Sequence, residues 1–76
     1  MHIGFILLNC DLGAEEYIVE ELKRMPNVKN AYLTYGAYDV ITEINTKEQK
    51  EFEKAVVDIR KLSRVVSTMT LNVINS

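Results

Sequence analysis

At 76 residues the chain has room for one domain, a size that buries only about 60% of the unfolded surface, so self-association is a ready route to stability. A 47% hydrophobic and 26% charged content is that of an ordinary soluble globular protein; with no bilayer-length apolar run and no signal-peptide pattern, the expected compartment is the cytoplasm. A net charge of −2 with dispersed Lys and Arg argues against direct nucleic-acid binding, and one cysteine (Cys10) and one histidine (His2) make a poor metal set, so neither cofactor nor metal is expected.

From Ile3 to Leu8 the chain is almost continuously apolar, with Ile3, Phe5 and Leu7 on one strand face and Ile6 and Leu8 on the other. Such a strand is expected to be buried on both sides. Asp11-Leu12-Gly13 breaks the run, and Ala14-Glu15-Glu16 opens a helix whose early acids suit the positive end of its dipole. Ala14, Ile18, Leu22 and Met25 recur at helical spacing, with Tyr17 or Val19 widening the stripe. Met25-Pro26-Asn27 stops the helix, since proline clashes with helical geometry and pushes its predecessor out of it.

Val28 to Tyr35 reads as a second strand and Tyr38 to Ile44 as a third, paired as a hairpin about Gly36. Thr46-Lys47-Glu48-Gln49 fits a capping box at the start of a second helix. Phe52, Ala55, Val56 and Ile59 mark that helix by their i, i+3, i+4, i+7 spacing. Alternation from Val65 onward marks a final strand, with Thr68 and Thr70 on one face.

Strand, helix, strand is thus run twice, and Lys23-Arg24-Met25-Pro26-Asn27-Val28 echoes Arg60-Lys61-Leu62-Ser63-Arg64-Val65. With right-handed crossovers this predicts an α+β, ferredoxin-like βαββαβ fold: four antiparallel strands with both helices on one face. The other sheet face is apolar and uncovered. A second copy packing sheet to sheet is the expected cover.

Three segments together resemble the ligand-binding domain of the Lrp/AsnC, or feast/famine, transcription regulators: Tyr35-Gly36-Ala37-Tyr38-Asp39-Val40-Ile41, Met25-Pro26-Asn27-Val28, and Val66-Ser67-Thr68-Met69-Thr70-Leu71. The resemblance spans Ile3 to Ile74, and its strongest motif is Gly-x-x-Asp at Gly36 and Asp39. It implies a non-enzymatic module, residues 1–76, that dimerises through its sheet, assembles into a ring, commonly an octamer, and binds amino acids or related effectors between dimers. No helix-turn-helix pattern is found, so the expectation is a stand-alone effector domain that acts by itself or assembles with full-length Lrp/AsnC regulators.

By the family's pattern the effector lies near Gly36, Asp39, Thr68 and Thr70, with Tyr35 and Tyr38 as walls. An Asp39 carboxylate suits an α-ammonium, and open backbone N–H groups around Gly36 suit an α-carboxylate. Simpler roles stand beside these. Gly36 serves as a turn residue, Asp39 accepts backbone N–H bonds, Thr68 and Thr70 are good strand residues, and Tyr35 and Tyr38 pack across the hairpin. Two other functions remain open at this point: a purely structural assembly partner, and a small dimeric ferredoxin-like enzyme, which would need a general base or redox group that the sequence does not place in a pocket.

Overall fold

A computed structural model describes residues 1–74. Its elements are β1 (His2–Cys10), α1 (Glu15–Lys23), β2 (Val28–Leu33), β3 (Val40–Thr46), α2 (Gln49–Arg60) and β4 (Val65–Val73). They form one antiparallel sheet in the order β2-β3-β1-β4, the ferredoxin-like arrangement read from the repeat. β1 and β3 are central, and β2 and β4 are the edges.

Both helices cover the same face. Gly4, Ile6 and Leu8 of β1 and Val40, Thr42 and Ile44 of β3 point toward them and are buried. Ile18, Val19 and Leu22 of α1 and Phe52, Ala55 and Ile59 of α2 close that layer from above. Each fully buried aliphatic side chain contributes about 1.5–3 kcal/mol of hydrophobic stabilisation. Buried Thr42 is tolerated because its hydroxyl donates to the Asn30 carbonyl at 2.8 Å. Of the two residues proposed to widen the α1 stripe, Val19 does so, while Tyr17 stays exposed and shares a hydrogen bond with Ser63.

Gly4 lies beneath Phe52 of α2. A Cβ built there would lie 2.3 Å from Phe52 Cζ and 2.8 Å from the Leu71 carbonyl oxygen. The missing side chain is therefore the seat of the Phe52 ring.

Burial of β1 on both sides does not hold within one chain. Ile3, Phe5 and Leu7 occupy the open face and are only half-buried, covered in part by neighbours on β3 and β4. Register places Ile41 and Tyr32 beside Leu7, and Met69, Leu71 and Val73 opposite Leu7, Phe5 and Ile3. This face is largely apolar.

The hairpin strands are offset from their expected bounds. β2 ends at Leu33 because Thr34 begins closing the reversal: its N–H donates to the Asp39 carbonyl at 2.9 Å and its hydroxyl to the Tyr38 carbonyl at 2.7 Å. β3 starts only at Val40 and runs on to Thr46, which pairs with His2. That extension also displaces the helix cap. Thr46 is consumed by the strand, so the cap of α2 is Glu48, whose N–H donates to the Glu51 carboxylate at 3.1 Å; the proposed Thr46–Gln49 box does not form.

Candidate functional site

The loop 34–39 between β2 and β3 lies at the end of the sheet where β1 gives way to α1. Gly36 has φ +119, the left-handed region that favours glycine, and a Cβ there would meet nothing within 4 Å. Backbone conformation alone accounts for that glycine. Asp39 is tied to β1 twice: its N–H donates to the Leu8 carbonyl, and its Oδ2 accepts the Cys10 N–H, both at 3.0 Å. The simple role for Asp39, accepting a backbone N–H, is thus occupied by one of its oxygens.

Cys10 is half-buried, with Sγ 3.9 Å from Asp39 Oδ2. Burial raises its pKa above the ordinary thiol range, and the negative charge of Asp39 raises it further. The thiol is held protonated and poorly nucleophilic.

Asp39 also lines an open cleft of about 520 Å³ with Gly13, Glu15, Glu16, Leu33, Thr34 and Tyr35. Three carboxylates and no cation make this lining acidic. The first turn of α1 forms its opposite wall, and the residue before that turn, Ala14, supplies no side-chain cap, so the helix enters the cleft with orphan backbone N–H groups. Leu12, Leu33 and Tyr35 are exposed around it, Tyr35 completely. Sequence reasoning placed Asp39 and Tyr35 here but missed the contribution of Glu15 and Glu16. Their signal was the acid pair opening a helix directly after Gly13, read only as dipole compensation.

The remaining sequence candidates lie elsewhere. Tyr38 reaches across β1, its hydroxyl donating to Met69 Sδ at 3.7 Å. Thr68 pairs with Leu8 from the β4 side, while Asp39 meets Leu8 from the other. Two strand spacings, about 10 Å, therefore separate the Thr68 and Asp39 backbones. Thr68 Oγ1 accepts a bond from Arg60 Nε at 3.3 Å, and Thr70 lines a groove between α2 and β4. Within one chain the threonines and Asp39 do not share a cavity.

Among the described residues no cluster of three or more His, Cys, Asp or Glu side chains is placed to hold a metal ion, and no helix is long and apolar enough to cross a membrane.

A family model described as the Lrp/AsnC ligand binding domain matches residues 3–76. The HTH-type transcriptional regulator FL11 of Pyrococcus furiosus is 26% identical over 72 residues, which are 95% of this chain and 48% of that protein. The chain thus spans about half the length of the curated relatives it matches. Among solved structures, the hypothetical protein PHS023 from Pyrococcus horikoshii is 35% identical, with a TM-score of 0.92 over all of this chain and 93% of that one. FFRP-DM1 is 36% identical, with a TM-score of 0.92 over 97% of this chain and 100% of that one.

Proposed function

We propose that this chain, which belongs to the Lrp/AsnC ligand-binding domain family, is a small-molecule sensing and oligomerisation module in transcriptional regulation, with an amino acid as its effector. The observation that carries this reading is the cleft at Asp39. An α-ammonium suits its carboxylates, and an α-carboxylate suits the uncapped N–H groups at the start of α1. Gly36 makes the turn that carries Tyr35, Tyr35 is a free wall, and Tyr38 holds the hairpin in place through Met69. Thr68 and Thr70 are left out of this site.

The open sheet face supports the assembly part of this reading. Phe5, Leu7, Ile41, Tyr32, Met69 and Leu71 form an apolar surface best matched by the same surface of a second copy. Exposed Leu12, Leu33 and Tyr35 suit a further contact that closes the cleft, as a ring such as an octamer would provide. Relatives named as HTH-type regulators and about twice as long make mixed assembly with such proteins part of the same proposal. We place the action in the cytoplasm, with no direct contact to nucleic acid.

Thermal denaturation in the presence of each standard amino acid at millimolar concentration tests the effector. A ligand at ten times its Kd stabilises the native state by about 1.4 kcal/mol, or roughly 5–10 °C for a domain of this size. One amino acid is expected to give that shift, and Asp39→Ala to remove it. If none moves the midpoint, the sensing role is lost and only assembly is left, which a solution mass measurement decides.

A further inference from the structure

Thr70 is the one described residue with a buried side-chain polar atom left without a partner: its Oγ1 is shielded from solvent and makes no hydrogen bond. It sits in a groove of about 360 Å³ between α2 and β4, formed also by Gln49, Phe52, Val56, Val57 and Arg60. Glu53 and Asn72 complete the lining. That volume is at the small end of the roughly 300–1,000 Å³ range of small-molecule pockets.

The chemistry along the groove is graded. At one end Arg60 donates through Nε to Thr68, leaving its two terminal nitrogens without a carboxylate among the described residues. In the middle Phe52 and Val56, one helical turn apart, present an apolar strip that Val57, 45% exposed, extends along the groove. Thr70 faces that strip from the sheet. The one carboxylate in the lining, Glu53, is engaged by the Gln49 amide at 3.2 Å. A planar guanidinium at the mouth of an apolar strip matches a carboxylate carried on a short hydrocarbon tail, because the fork binds both oxygens and the strip desolvates the tail.

We propose that the α2–β4 groove is a second small-molecule site, separate from the Asp39 cleft, that takes a small monocarboxylate with a branched apolar tail. The carboxylate pairs with the terminal nitrogens of Arg60. The tail lies over Phe52, Val56 and Val57, and a χ1 rotation of Thr70 brings its orphan hydroxyl to a carboxylate oxygen. Thr68 positions Arg60 through the Nε bond.

The test is titration of the isotopically labelled full chain with isovalerate, followed by backbone and Arg side-chain NMR. Saturable millimolar shifts are expected at Val56, Val57, Thr70, Asn72 and the Arg60 guanidinium, with Tyr35 to Asp39 unmoved. Arg60→Gln, at an exposed position, is expected to weaken binding at least about tenfold, and Asp39→Asn to leave it unchanged. Thr70→Val removes the orphan hydroxyl at constant shape, so the ligand-free midpoint is expected to rise while isovalerate affinity falls several-fold. Shifts confined to the Asp39 loop, no saturable shifts at all, or unaltered affinity in both Arg60→Gln and Thr70→Val would overturn the assignment. Amino-acid shifts at Asp39 are scored separately, so either site can fail without the other.

Discussion

After α1, Arg24, Met25, Pro26 and Asn27 lead into β2; after α2, Lys61, Leu62, Ser63 and Arg64 lead into β4. In both connections the apolar residue returns its N–H to the last helical turn, Met25 to the Leu22 carbonyl at 3.0 Å and Leu62 to the Ile59 carbonyl at 3.1 Å. In both, the valine that opens the strand donates back to that apolar residue, and Leu22 and Ile59 are each completely buried. The halves part company in their side chains. The first half meets the sheet with Ile18, Val19 and Leu22, and its short edge strand carries Lys29. The second uses Phe52 as a wedge, leaves a groove against β4, and has nine uncharged residues along that edge. Repetition therefore sets the backbone frame, while individual side chains decide which half presents which surface.

The deepest equivalence is the easiest to break. Leu22→Ala and Ile59→Ala remove large aliphatic groups from matching, fully closed positions, and each is expected to cost about 2–5 kcal/mol by urea denaturation. Two costs of similar size support equivalence. A variant that loses less than half what its counterpart loses would show that one helix end is free to collapse onto the vacancy.

Next in size is Gly4→Ala, expected to cost about 1–3 kcal/mol by overpacking, because the new methyl would meet the Phe52 ring. The same substitution in a Phe52→Leu background is expected to cost less than half as much. An unchanged cost would move the penalty from the ring to the Leu71 carbonyl, which also lies near that Cβ. The wedge would then cease to distinguish the second half.

Much of this frame is legible in the sequence because the signals are periodic. Ile18 with Leu22, Phe52 with Ile59, and the alternation from Val65 each fix a face by spacing alone, and the Pro26 stop repeats as Ser63. The strand ends near Tyr35 and Thr46 depart from the periodic pattern for a common reason. Hydrogen bonds from Thr34 to Asp39 and from Thr46 to Glu48 decide them, and neither leaves a periodic trace. The lining of the candidate cleft is only partly legible for a related reason. Asp39 and Thr68 both neighbour Leu8, but from opposite sides of β1, so closeness in the fold did not give a shared cavity. Glu15 and Glu16 had an adequate explanation in the helix dipole, which hid their place in the cleft wall.

The smallest expected effect concerns the last residue of each connection. Asn27 and Arg64 do the same work with their carbonyls, accepting the N–H of Asn45 at 3.0 Å and of Asp11 at 2.9 Å, so each anchors its connection to the end of a central strand. Yet Arg64 has φ +72 and is the one non-glycine residue with positive φ among those described. A residue with a Cβ is strained there by about 1 kcal/mol or more. Its ion pair with Asp11, at 3.6 Å between side chains about half exposed, returns little of that cost. Arg64→Gly is therefore expected to stabilise the chain by up to about 1 kcal/mol, relief of strain exceeding the entropy that glycine adds to the unfolded state. At Asn27, where φ is negative, there is no strain to relieve, and Asn27→Gly is expected to cost about 0.5–1 kcal/mol. Opposite signs in urea midpoints are the prediction. Matching signs would mean that the two connections share a conformation in solution and that the asymmetry of the halves begins only in the helix layer.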